Sequence, residues 1–169
     1  MRYEAPQTAE AAAAMLAAES GVSRILAGGT DVLVQLRSGL VEPDLVVNVK
    51  NIPGFGDILA EDGGFRIGAA VSCAEIGEHD ALVAAWPGVV EAANLIGSTQ
   101  VQGRATVAGN LCNCSPAADS VPALVAAGDL ALETRIKIET DAGDLEVCAE
   151  DAQAIVAEVG PATIGPAAE

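Results

Sequence analysis

The sequence predicts an α+β protein in two lobes, on three observations. Residues 1–52 read as helix, strand, helix, strand, the pattern of a small α/β lobe. Ile52-Pro53-Gly54-Phe55-Gly56 then breaks the chain. Residues 53–160 follow with a hairpin signal, several short helices and a second pair of strands, which is an α+β pattern. The last residues, 161–169, have the composition of a linker.

The elements justify themselves in order. Thr8 to Glu19 is alanine-rich, with Thr8 placed as an N-cap and Gly21 just past the end, so it reads as a helix. Arg24 to Ala27 is a strand candidate that runs into Gly28-Gly29. Thr30-Asp31 is placed to cap a helix from Val32 to Ser38, which Gly39 stops. Leu45 to Val49 is an apolar run of strand length. Past the break, Asp57–Ala60 and Gly64–Ala70 flank Glu61-Asp62-Gly63 as a hairpin. Ser72-Cys73-Ala74-Glu75 fits a capping box at the start of a short helix. Ala81–Ala85 and Val89–Ile96 are helical, separated by Trp86-Pro87-Gly88. A glycine-rich stretch from Gly97 to Asp119 reads as loop, and Val121–Ala127 is a helix behind Pro116. Asp129–Ile138 and Leu145–Cys148 are strands around an Asp141-Ala142-Gly143 turn.

Composition narrows the function. The net charge is -16 over 169 residues, so the chain has no electrostatic footprint for nucleic acid or for an anionic membrane surface. With 8 Lys and Arg in total, any phosphate is held mainly by backbone N–H groups. Half of the residues are hydrophobic, yet Tyr3, Phe55, Phe65 and Trp86 are the only aromatics. The core therefore gains its burial from many small groups. No apolar run has the length of a membrane span, and the N-terminus lacks the apolar centre of a signal peptide. Cys73, Cys112, Cys114 and Cys148 do not form the dense pattern of a secreted disulfide scaffold, so reduced thiols in the cytoplasm are expected. Cys112 and Cys114 lack the second pair that a zinc or iron–sulfur site needs, and His79 is the only histidine. Between Glu78 and Asp80, His79 reads as part of a solvated turn. No metal site and no catalytic acid, base or nucleophile is expected.

Two segments have the character of a ligand site. In Ile25-Leu26-Ala27-Gly28-Gly29-Thr30-Asp31 a strand ends, two glycines turn and a helix begins. The first amides of such a helix have no partner within it and favour an anion. Glycine leaves the backbone open to close approach. The segment is neither a Walker loop nor the dinucleotide fingerprint, because the Lys-Ser/Thr and the third glycine are absent. The second is Thr106-Val107-Ala108-Gly109-Asn110 with Ser115-Pro116-Ala117-Ala118-Asp119. Two glycine loops of this kind suit a diphosphate held from two sides. Asp119 reads equally well as the N-cap of the helix after it.

Together these segments resemble the FAD-binding, or medium, subunit of the molybdenum hydroxylases, the group of xanthine dehydrogenases and aerobic carbon monoxide dehydrogenases. The resemblance is carried by Ala27-Gly28-Gly29-Thr30-Asp31, Ile67-Gly68-Ala69-Ala70-Val71-Ser72, Gly97-Ser98-Thr99-Gln100-Val101, Thr106-Val107-Ala108-Gly109-Asn110 and Ser115-Pro116-Ala117-Ala118-Asp119-Ser120, in that order. It implies the two-lobed fold of the molybdopterin-dehydrogenase flavoproteins with FAD between the lobes. It assigns Leu26, Ala27, Gly28, Gly29, Thr30, Asp31, Ile96, Thr106, Ala108, Gly109, Asn110, Ser115 and Asp119 to cofactor binding. It also implies partners, an iron–sulfur subunit and a molybdopterin subunit, with FAD passing electrons to NAD or another acceptor. The chain departs from the family in having Ala108 where glycine is usual and Gln102-Gly103 where Arg-Asn is usual. Family members also continue into a C-terminal domain that helps close over the flavin, so this chain reads as a truncated or split subunit. The rival reading is a non-redox, partner-binding remnant of such a subunit.

Overall fold

A computed structural model describes residues 1–61, 64–115, 118–126, 136–140 and 143–147. The chain begins with strand β1 (Arg2–Glu4), helix α1 (Ala9–Ala18), strand β2 (Ser23–Leu26), helix α2 (Val32–Arg37) and strand β3 (Leu45–Asn48). The strands form a parallel sheet in the order β1-β3-β2, with Arg2 and Ser23 both level with Leu45. The central β3 is buried along its whole length, as its unbroken apolar run requires. Leu45, Val47 and Val49 share a face by the two-residue period of a strand. They pack with Ala12 of α1 and with Ile52. Thr8 caps α1 by accepting from the Ala11 N–H at 3.1 Å. Gly39 closes α2 at φ 68°, with the Leu40 N–H bonded to the Gln35 carbonyl and the Gly39 N–H to the Leu36 carbonyl.

β1 is an addition to the expected pattern. Its three residues, Arg-Tyr-Glu, carry no apolar alternation, and only their pairing with β3 makes them a strand.

The next part opens with the antiparallel hairpin of β4 (Ile58–Glu61) and β5 (Gly64–Ile67). Helices α3 (Cys73–Glu78), α4 (Asp80–Ala85) and α5 (Pro87–Asn94) pack beside it. The capping box at α3 is formed in full. The Ser72 N–H donates to Glu75 Oε2 at 2.8 Å, and the Glu75 N–H donates to Ser72 Oγ at 3.2 Å. Pro87 sits inside the first turn of α5, where its missing N–H costs nothing. The second core cluster joins Phe65, Ile67 and Val71 to Ile76, Leu82, Val90 and Ala93. Ile76 and Leu82 are fully buried, and truncating either to alanine costs about 2–5 kcal/mol.

The glycine-rich stretch is more helical than expected. It contains α6 (Thr99–Gln102) and α7 (Val107–Cys112), followed by α8 (Val121–Ala126). Thr106 starts α7 by accepting from the Gly109 N–H at 2.9 Å, so the Ala108-Gly109-Asn110 loop is in fact a first helical turn. Strands β6 (Ile136–Thr140) and β7 (Gly143–Val147) pair antiparallel from Ile136–Val147 to Thr140–Gly143. The expected start of this hairpin at 129–135, Cys148, residues 149–160 and the linker at 161–169 lie outside the described residues.

His79 also differs from its expectation as a solvated turn residue. It is half-buried, its Nδ1 accepts the Leu82 N–H at 3.1 Å to cap α4, and its ring meets Phe65 edge-on.

Candidate functional site

Where β2 ends, the chain makes the glycine turn that leads into α2. Gly29 has φ 80°, and its carbonyl accepts from the Leu33 N–H at 3.1 Å. Helical winding therefore begins at the glycine itself. Asp31 is already helical, at φ -93° and ψ -53°, and makes no side-chain cap bond. Capping needs an extended backbone at the capping residue, so the expected Thr30-Asp31 cap is not formed. Asp31 is exposed instead. Among the described residues, the amides of Gly28, Gly29, Thr30, Asp31 and Val32 meet no backbone acceptor. Five successive donors at a partly buried turn are an opening for an anionic ligand.

The second segment packs directly on this turn. A Cβ built on Gly28 would lie 2.1 Å from the Arg104 carbonyl oxygen and 3.1 Å from Ala105 Cα. Only glycine allows the two backbones to meet this closely. The Ala105 carbonyl accepts the Cys73 N–H at 2.8 Å, which ties the contact to the start of α3. Thr106, buried at 3 % exposure, follows as the cap of α7. The Gly109 amide is used by that cap, and the amides of Val107 and Ala108 have no partner inside the helix. Further along, Gln35 of α2 donates to Asn113 Oδ1 at 3.2 Å, a second bridge between the two segments.

The expected site residues divide by place. Leu26, Ala27, Gly28, Gly29, Thr30 and Asp31 form the turn, and Thr106, Ala108 and Gly109 form the start of α7 beside it. Asn110 is tied to the start of α8, where its Oδ1 accepts both the Ser120 N–H at 3.1 Å and the Ser120 hydroxyl at 2.6 Å. This bond holds the segment of Ser115 and Asp119 against α7. Ser120, whose carbonyl accepts from the Leu124 N–H, begins α8, so Asp119 is one residue too early to be its cap. Asp119 is exposed, and among the described residues no hydrogen bond joins it to the glycine turn. Ile96 puts its side chain in the second core cluster at 7 % exposure. Gln102 donates to the Asn94 carbonyl and braces α6 on the end of α5.

Sequence reasoning missed two cations at the turn. Lys50 Nζ donates to the Ala27 carbonyl at 3.2 Å and to Asn48 Oδ1 at 2.7 Å. Burial first, and then the nearby Arg104 charge, push its pKa down. Lys50 lies 22 residues beyond Gly28 in no recognisable motif, so spacing gives no signal for it. The thiol of Cys112 is pushed up to about 11 by burial and by Cys114, which makes it a poor nucleophile. An open cleft of about 370 Å³ lies beside β4 and α3, lined by Asp57, Glu75, Glu78 and His79 among others. It shares no residue with the glycine turn, and its carboxylates are unsuited to a phosphate. Among the described residues no helix is long and apolar enough to cross a membrane.

Comparison with known proteins gives the family. Residues 1–152 match the family model described as the FAD binding domain in molybdopterin dehydrogenase. The chain is 37% identical over 112 residues to the xanthine dehydrogenase FAD-binding subunit of Escherichia coli O157:H7, covering 65% of this chain and 38% of that one. It is 31% identical over 123 residues to the nicotinate dehydrogenase FAD-subunit of Eubacterium barkeri, covering 72% and 42%. The structure superposes on a carbon monoxide dehydrogenase from Hydrogenophaga pseudoflava with a TM-score of 0.73, at 27% identity, covering 89% of this chain and 50% of that one. The chain thus spans half or less of the length of these relatives.

Proposed function

Since the chain belongs to the family of FAD-binding domains in molybdopterin dehydrogenases, with FAD as cofactor, we propose that its two glycine segments hold the FAD diphosphate from two sides. One observation carries this reading. The unpaired amides from Gly28 to Val32 and those of Val107 and Ala108 belong to segments in direct backbone contact. The residues fit the group chemically: both segments carry unpaired donors, no bulky side chain stands on Gly28 or Gly29, and Lys50 and Arg104 offset some of the chain's negative charge. Thr106 sets the direction of the α7 amides, and Asn110 fixes the Asp119 segment through Ser120.

Held by these segments, FAD would supply the redox chemistry, a path for electrons between iron–sulfur clusters and NAD or another acceptor. The chain's own part is to bind, orient and partly shield the cofactor. Its proposed partners are an iron–sulfur subunit and a molybdopterin subunit, in keeping with relatives that are named as subunits or chains of dehydrogenases. The proposed lobes, 1–52 and 53–160, flank the cofactor, supported by two core clusters that share no residue. The proposed location is the cytoplasm, where Cys73 and Cys112 stay reduced as free thiols.

The test is the visible spectrum of the purified chain, followed by titration with FAD and with riboflavin, which has no phosphate. The expected result is flavin absorption near one equivalent and much weaker binding of riboflavin. A colourless protein that FAD cannot reconstitute refutes the reading. Equal affinity for the two flavins refutes the diphosphate assignment.

A further inference from the structure

We infer that Lys50 is a positioning residue that aims and polarises the Gly28 N–H toward the diphosphate. The inference rests on the proposed two-segment site. The Ala27 carbonyl that Lys50 holds belongs to the same peptide unit as the Gly28 N–H. That peptide is trans, as are all those described. In a planar trans unit the C=O and N–H point in opposite directions, so pinning one aims the other. A cation on the carbonyl also draws charge from the amide and strengthens its N–H as a donor. The Gly28 amide is the first of the five that meet no backbone acceptor.

Lys50 is itself held. Asn48 Oδ1 accepts both its backbone N–H at 3.1 Å and its Nζ at 2.7 Å. Asn48 is buried at 6 % exposure, and its Nδ2 donates to the Tyr3 hydroxyl at 2.6 Å. The amide orientation of Asn48 is thereby fixed from the far side. A relay thus runs from β1 through β3 to the glycine turn: Tyr3, Asn48, Lys50, Ala27. Lysine on a free surface would gain little from leaving water. Lys50 keeps an exposed surface, but its ammonium is partly desolvated and repelled by Arg104, and it still reaches the Ala27 carbonyl.

The experiment compares the parent with Lys50→Met and Lys50→Arg. FAD and riboflavin are titrated into each, and the Gly28 amide is followed by nitrogen-15 NMR without flavin. Lys50→Met is expected to weaken FAD about 10- to 100-fold, the range of a charge-assisted hydrogen bond, and to leave riboflavin unchanged. Its Gly28 amide resonance is expected to move, and Lys50→Arg to restore both position and affinity in large part. An unmoved Gly28 resonance in Lys50→Met overturns the inference whatever happens to FAD. So does a parent that binds FAD no better than Lys50→Met does, while the proposed site itself stands. A parent that binds no FAD overturns the site, and with it the purpose assigned to Lys50.

Discussion

Replacing Gly28 with alanine adds one methyl group at the closest backbone contact in the site. The new Cβ would lie 2.1 Å from the Arg104 carbonyl oxygen, where ordinary contact begins at 3.4 Å. The two segments must separate by the difference, 3.4 − 2.1 = 1.3 Å, because a backbone carbonyl cannot swing aside as a side chain does. Overpacking of this kind costs about 1–3 kcal/mol, and the rigid partner puts Gly28→Ala near the top, at about 3 kcal/mol. At ~2–4 °C per kcal/mol for a chain of this size, the melting temperature falls by about 6–12 °C. The same displacement pulls the amides of the turn away from those of α7, so FAD affinity falls at least about tenfold. Gly39→Ala is the control. It lies at φ 68° with nothing within 4 Å of an added Cβ, so it costs about 1–2 kcal/mol and leaves FAD affinity unchanged. Thermal unfolding without flavin and FAD titration of both variants decide the matter. If Gly28→Ala melts within a degree of the parent and binds FAD as well, the contact between the segments is not as described.

Other outcomes follow from the same geometry. Thr106→Ala removes the cap on the Gly109 N–H and is expected to lose about 1 kcal/mol in urea unfolding, while Thr106→Ser keeps most of it. An alanine variant as stable as the parent would mean that the hydroxyl does not cap α7. Cys73 and Cys112 have thiols pushed up to about 11 by burial, so the folded chain keeps their protons at pH values where the unfolded chain has lost them. Stability from this source is complete below about pH 9 and is lost as pH rises toward 11, which urea unfolding at stepped pH measures. A flat profile across that window, or one unaltered in Cys112→Ala, contradicts the assignment.

Local chemistry explains which features the sequence revealed. Ser72 and Glu75 form their capping box because both partners lie within one helical turn. Gly39, Thr8 and the apolar run of β3 are legible for the same reason, since each acts on its own neighbourhood. The glycine turn at residues 28–31 was legible as close-approach backbone, and residues 106–110 as a small-residue segment. Their helical character was not, because alanine and glycine side chains leave no apolar period over a six-residue helix. Asp31 and Asp119 show the limit of composition as a guide to caps. Each has the right residue type, but winding starts at Gly29 in one case and Ser120 takes the position in the other. Lys50 and β1 were invisible for a further reason. Both acquire their roles only through the sheet, which brings residues 3, 27, 48 and 50 together.

The order of the parallel sheet also sets the span that each pairing must close. From the register, β2 meets β3 across 45 − 23 = 22 residues, and β1 meets it across 45 − 2 = 43. Closing the longer loop costs about 0.6 kcal/mol more, since the span nearly doubles. The longer closure is also rewarded by a strand of only three residues. β1 precedes both other strands in the chain, yet its place in the sheet is beside β3 alone, so it has no partner there until β3 has been made. The Tyr3 hydroxyl therefore reaches Asn48 only once that long pairing has closed, and a strand of three residues completes the support beneath the glycine turn.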